Sequence, residues 1–209
     1  STLAENLIYP AVPMLLFMGI ALERSGIGRE LLLCLQVLLR RVPASQAVAV
    51  TLIGIVLAPS AGLVGASVAT LAYLALPTML ERGYRTSFAT ISIAAAGTLG
   101  LILPPAIMLY FLADEIGVMI PQQLLSTTVP ALVTTAHYTA YYISAALLDP
   151  RIAPPLAVLP TRGALQLTIY VVRSLALPVP LIALVLGSVI AGLATPTQSA
   201  CVGAAGAIL

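Results

Sequence analysis

The residues of this chain whose types and spacing could do chemistry are neutral oxygen donors on interrupted backbone. Gly97-Thr98-Leu99-Gly100-Leu101-Ile102-Leu103-Pro104-Pro105 lies midway along an apolar run, residues 86–113. Neither proline has an N–H, and each ring clashes with the carbonyl four residues back. Leu103 and Pro104 both precede a proline and are pushed away from helical angles. The run is about 28 residues long, where roughly 20 cross a bilayer. The break therefore falls at membrane depth, where freed carbonyls must be satisfied by protein, water or an ion. Many secondary transporters build cation and substrate sites on such broken helices. The plainer alternative is a proline kink in an ordinary spanning helix.

A second interruption, Pro59-Ser60-Ala61-Gly62-Leu63-Val64-Gly65, separates two apolar arms, residues 46–58 and 66–80. Each arm is about 20 Å of helix, short of the roughly 30 Å hydrocarbon core. Arg40 and Arg41 precede the first arm, and Arg82 and Arg85 follow the second. Cytoplasmic loops carry the arginine excess, so both ends are expected to face the cytoplasm and residues 46–80 to form a re-entrant hairpin. A single long kinked helix, with Arg82 outside, is the alternative. Hydrolytic chemistry is a poor fit. Gly65-Ala66-Ser67 has a Gly-x-Ser order and His137 is present, but Val68 follows the serine where a rhomboid-type protease has glycine. A Ser–His pair is in any case defined by geometry rather than composition.

The elements that must position these stretches follow from composition. Hydrophobic residues make up 60% of the 209, charged residues 8%, and the mean hydropathy is +1.10, against about 25% charged in a soluble domain. This is an integral membrane protein, and without alternating ten-residue patterns it is read as all-α rather than a β-barrel. The nine basic residues are all arginine, set in loops and at helix ends. The net charge of +2 gives no argument for nucleic acid, and no such partner is expected. Cys34 and Cys201 have no metal-ligand neighbours and read as small packing residues. No signal peptide is visible.

In order, residues 7–22 form a first apolar helix. Residues 29–41 carry Leu31, Leu32, Leu35, Leu38 and Leu39 on one face, with Arg29, Glu30, Gln36 and Arg40 elsewhere. That helix either lies in the interface plane or packs on a neighbour. The hairpin and the broken helix follow. Asp114 and Glu115 mark the outer end, and residues 118–148 return inward. Tyr138, Tyr141 and Tyr142 fall where an aromatic belt would sit, and His137 reads as packed or interfacial rather than a proton relay. Residues 149–162, with Pro150, Pro154, Pro155 and Pro160, read as an extended cytoplasmic linker. Thr195-Pro196-Thr197-Gln198 predicts a helix start with a capping box. The chain begins with Ser1 and stops within an apolar segment, and so reads as a piece of a longer protein.

Taken together these pieces resemble the large membrane subunit of tripartite ATP-independent periplasmic (TRAP) transporters. Leu63-Val64-Gly65-Ala66-Ser67-Val68-Ala69-Thr70 is similar to that family's Gly-Ser-rich hairpin tip. Leu76-Pro77-Thr78-Met79-Leu80-Glu81-Arg82-Gly83-Tyr84 is similar to its Pro-x-Met…Arg-Gly-Tyr segment. Residues 97–105 are similar to its Gly-Thr…Pro-Pro break, and Gly192-Leu193-Ala194-Thr195-Pro196-Thr197 to its Thr-Pro-Thr-Glu start of a second half. Gln198 replaces the usual glutamate, and Val64 and Ala66 stand where many relatives carry Ser or Gly.

The resemblance implies one half of an inverted-repeat, elevator-type transporter. Residues 1–148 would be most of the first repeat, 149–162 the linker and 163–209 the truncated start of the second. It implies sodium-coupled uptake of organic acids (carboxylates) across the bacterial inner membrane. A periplasmic substrate-binding protein would deliver substrate and a small membrane subunit would brace the large one, with no enzymatic activity and no cofactor beyond the coupling ion. The sodium site is expected from Gly65, Ser67, Gly97, Thr98, Gly100 and Pro104, mainly through carbonyls freed by unwinding. Ser67 and Thr98 would add hydroxyls, and the glycines would take angles closed to other residues. Close helix packing at the glycines is the competing explanation. A passive channel, or a structural membrane subunit of another complex, is the competing function.

Overall fold

The computed structural model describes residues 11–56, 64–104, 106–154, 172, 176 and 178–207. Among these every regular element is a helix. They are α1 (Ala11–Arg24), α2 (Ile27–Leu38), α3 (Ser45–Val56), α4 (Val64–Glu81), α5 (Thr86–Ile102), α6 (Ile107–Glu115), α7 (Ile120–Leu148), α8 (Pro178–Ile190) and α9 (Pro196–Gly206). Only α4 is by itself long and apolar enough to cross a membrane, and α5 and α6 reach that length together across a 45° bend.

The expected hairpin arms are present as α3 and α4. Residues 57–63 at the tip lie outside the described residues. The chain doubles back between the arms, because the first turn of α3 meets the last turn of α4. Gln46 donates from Nε2 to Thr78 Oγ1 at 2.5 Å, and its backbone N–H donates to the Tyr84 hydroxyl at 3.4 Å. The second arm corrects one expectation. At 18 residues it is about 27 Å long, close to a full crossing, so only α3 is too short to span.

Both arms pack more extensively on α5 than on each other. The largest core joins α2, α3, α4, α5 and the end of α7 through Leu31, Val50, Ile53, Leu71, Met79, Phe88, Ile93 and Tyr142. Here α2 packs on a neighbour, the second of its two expected arrangements, and buries Leu31, Leu32 and Leu35 of its expected face; the face differs from the expected one at two positions. Leu38 is 55% exposed while Gln36 is 1% exposed, because Gln36 Oε1 accepts from Arg82 Nη2 at 2.8 Å. A buried amide is tolerated when it is hydrogen-bonded. Tyr142 likewise belongs to the core rather than to a belt, edge-on to Phe88 with ring centroids 5.7 Å apart.

The start of the linker is tied down rather than extended. Ile152 O accepts from Arg85 N at 3.0 Å, and Ala153 is buried in the main core; the rest of it lies outside the described residues. The last two helices, α8 and α9, join α1 and α6 in a separate core built on Leu15, Met18, Tyr110 and Val185. The capping box opens α9 as expected. Thr195 N donates to Gln198 Oε1 at 3.0 Å, and Gln198 N to Thr195 Oγ1 at 3.3 Å. Glutamine therefore closes the box reciprocally with Thr195.

Two outcomes follow from the closed base of the hairpin. Arg41 and Ser87 are both exposed and flank it, so Arg41→Cys and Ser87→Cys, each in a Cys34- and Cys201-free background, should label with an impermeant thiol reagent from the same side of the membrane. Labelling from opposite sides would contradict the doubled-back arrangement. Tyr84→Phe removes the acceptor for Gln46 N–H and should destabilise the protein by about 1–2 kcal/mol, read as a lowered unfolding midpoint in detergent.

Candidate functional site around the helix break

The break falls where the covalent chemistry of proline puts it. Helix α5 ends at Ile102, and Leu103 is extended (φ −79°, ψ 129°), the conformation forced on a residue before proline. Pro104 is buried in the turn, and Pro105 lies outside the described residues. In a continuous helix the carbonyls of Gly100 and Leu101 would accept from residues 104 and 105, both of which lack an N–H. The carbonyl of Ile102 loses its helical donor too, since Ala106 N turns back to Leu103 O at 3.1 Å. Three successive carbonyls at the negative end of α5 thus lose their helical partners. The unwinding is narrower than expected. Gly97 and Thr98 lie within α5, and the carbonyl of Leu99 keeps its helical bond from Leu103 N at 3.0 Å.

The hairpin meets α5 about one and a half turns before this break. A Cβ added to Gly54 on α3 would lie 2.6 Å from the Ala96 carbonyl oxygen, and one added to Gly97 would collide with Val68 of α4. Ala96 and Gly97 are therefore gripped from both sides by the two arms. Ile55, near the end of α3, packs on Leu99 and Leu103 together with Ala131 of α7. Ser67 precedes Val68, and its hydroxyl is shielded from solvent with no hydrogen-bond partner. A buried hydroxyl without a partner costs roughly 1–3 kcal/mol, and Gln36 Nε2, Gln46 Oε1, Arg82 Nη1 and the Tyr142 hydroxyl share that state.

The remaining expected residues fall elsewhere. Thr98 is exposed, and its hydroxyl donates to Ala95 O at 2.7 Å on its own helix. Gly65 is exposed in the first turn of α4 with open space around its Cα, and Gly100 is buried. The described glycines with positive φ are Gly26, Gly83, Gly117 and Gly192. Gly65, Gly97 and Gly100 thus have ordinary helical backbone, and Gly97 serves close approach rather than unusual dihedral angles. His137 is exposed, with Nδ1 3.2 Å from Val133 O of its own helix. Neither Ser67 nor His137 has the other as a partner, so the described residues form no Ser–His pair. Among them, no group of three or more His, Cys, Asp and Glu side chains could hold a metal. Any cation here would be held by neutral oxygens.

The base of the hairpin, at its other end, was not foreseen as a polar cluster. Gln36, Ser45, Gln46 and Tyr84 are buried there, with Arg82 half-buried beside them. Burial pulls the Arg82 guanidinium below its ordinary range, with Tyr84 and Glu81 acting the other way. Burial also pushes the Tyr84 phenol up, against hydrogen bonds from Gln46 and Ser45. The visible signal was the Arg82-Gly83-Tyr84 motif itself. Gly83 makes the turn at φ +78°, so that Arg82 reaches α2 and Tyr84 reaches α3.

A helical hairpin clamped on a helix that breaks at a proline pair, in a chain this apolar, defines an integral membrane protein of the broken-helix kind. The chain belongs to the family described as tripartite ATP-independent periplasmic transporter, DctM component, which it matches over residues 2–209. It is 25% identical over 201 residues to the C4-dicarboxylate TRAP transporter large permease protein DctM of Pseudomonas aeruginosa, covering 96% of this chain and 46% of that one. To the protein of the same name in Vibrio cholerae it is 23% identical over 195 residues, 93% and 42% of the two chains. To the isethionate TRAP transporter permease protein DctMQ of Oleidesulfovibrio alaskensis it is 29% identical over 131 residues, 63% and 21%. The chain spans less than half the length of these relatives.

Two glycine substitutions separate close packing from open space. Gly54→Ala places a methyl against backbone and should destabilise the protein by about 1–3 kcal/mol. Gly65→Ala meets nothing and should leave stability unchanged or raise it by about 0.5–1 kcal/mol. Equal unfolding midpoints for the two would contradict the clamp.

Proposed function

We propose that the chain is part of the large membrane subunit of a secondary transporter that moves small organic acids into the cell across the bacterial inner membrane. Uptake is coupled to sodium, substrate arrives on a periplasmic binding protein, and a small membrane subunit braces the large one. Family membership supports the transport class, and the names of the relatives, one for isethionate and two for C4-dicarboxylates, support a small organic acid as cargo. The fused form of name carried by the DctMQ relative supports a small-subunit partner. The re-entrant topology, with both hairpin ends cytoplasmic, belongs to the same proposal and is supported by the arginines at its closed base.

The observation that carries the coupling step is the unpartnered Ser67 hydroxyl, whose neighbour Val68 meets Gly97 on α5, the helix whose last three carbonyls have lost their helical donors. Sodium requires several oxygens and little else. The negative ends of α3 and α5 favour a cation, while the positive starts of α4 and α6 favour the carboxylate that travels with it. Of the six residues first singled out, Ser67, Gly100 and Pro104 keep a direct part in this site. Gly97 acts by admitting Val68, and Gly65 and Thr98 fall outside it.

In the assembled transporter reconstituted into liposomes, Ser67→Ala should raise the sodium concentration for half-maximal uptake by about 5- to 30-fold, the factor of 1–2 kcal/mol. Thr98→Val should leave it unchanged. An unaltered sodium dependence in Ser67→Ala at normal abundance would remove the site. Sodium-driven accumulation against a gradient separates transport from passive conductance, in which the acid would only equilibrate.

A further inference from the structure

Five chain ends meet at the base of the hairpin. The Arg82–Gln36 hydrogen bond joins the end of α4 to α2, and the Gln46 bonds to Thr78 and Tyr84 join the start of α3 to the end of α4. The Arg85–Ile152 backbone bond joins the start of α5 to the segment after α7. Among the described residues this gathers Arg40, Arg41, Arg82, Arg85 and Arg151 at one end of the molecule with Glu81 and Asp149 against them, a net +3. Arg82 is turned inward and engaged by Gln36. The other four are exposed, and no side-chain bond or ion pair holds any of them among the described residues. Beside them lie apolar side chains that the fold leaves uncovered, Leu38, Leu80, Leu147 and Leu148, the last 87% exposed.

We propose that this end binds the headgroup phosphates of anionic phospholipids, with Arg40, Arg41, Arg85 and Arg151 as the phosphate ligands and the exposed leucines against the acyl chains. The charge is net positive, its four exposed arginines are unpaired among the described residues, and it stands at the rim of membrane-embedded helices, where anionic headgroups lie. Each arginine near such a surface favours binding by about fivefold. A carboxylate-rich protein surface would match the charge but not the adjoining leucines. The inference rests on membrane embedding alone and is independent of sodium coupling.

The test is native mass spectrometry of the purified protein, titrated in detergent with phosphatidylglycerol or phosphatidylcholine. The protein should bind phosphatidylglycerol in preference, and replacing Arg40, Arg41, Arg85 and Arg151 together by Gln should lower that preference at least tenfold. The same four positions changed to Lys should retain it, which separates loss of charge from a failure to fold. Arg29→Gln, in the first turn of α2 away from this end, should retain it as well. A preference that persists in the fourfold Gln variant would overturn the proposal. So would displacement of the lipid by millimolar inorganic phosphate, which would reveal a simple anion site.

Discussion

Gly54 lets the backbone of α3 reach the carbonyl of Ala96, and Gly97 lets the backbone of α5 reach Val68 of α4. These approaches, at adjacent residues of α5, fix where the two arms meet the broken helix. Side chains at either position would push the arms away from α5. In a membrane the lipid tails are as apolar as leucine, so burial of apolar surface does little to hold helices together and close van der Waals contact at small residues takes its place. The two glycines supply that contact, and the prolines beyond them stop α5 where the arms end.

The hairpin has opposite chemistry at its two ends. Towards the break its described residues include Gly54, Ser67 and Val68. At the base it is held by Gln36, Gln46, Thr78, Arg82 and Tyr84, joined across spans of 32 to 46 residues. Such a network is directional: removing one member leaves a buried donor or acceptor unpaired, which costs more than the bond itself contributes. The base thereby joins the two arms to each other and to α2.

The helices flanking the linker are arranged differently. Here α8 and α9 do not extend the hairpin core but pack with α1 and α6. Ser188 and Ser199 share a hydrogen bond of 2.7 Å, and Gly203 fits against Met18 and Val185. The first helix and the last described helix are thus neighbours, so the core of the hairpin and the core of the flanking helices meet along α5 and α6, on either side of the bend.

Features governed by a residue and its immediate neighbours were legible in the sequence. Pro104 and Pro105 end α5 because neither can donate and each restricts the residue before it. Thr195 and Gln198 cap α9 because both reach the same turn. The two arms and the all-helical class follow from apolar runs that lack a period of two. Other features depend on which helices become neighbours. Leu38 faces out and Gln36 faces in because an arginine 46 residues away supplies the bond that makes burial tolerable. Tyr142 enters the core because Phe88 offers its ring edge. Gly97 is needed for the approach of Val68, although as a residue type it equally allowed an unusual backbone angle. Local backbone chemistry is decided by covalent neighbours and was readable from the chain. Partners in space are decided by packing, and that belongs to the tertiary structure alone.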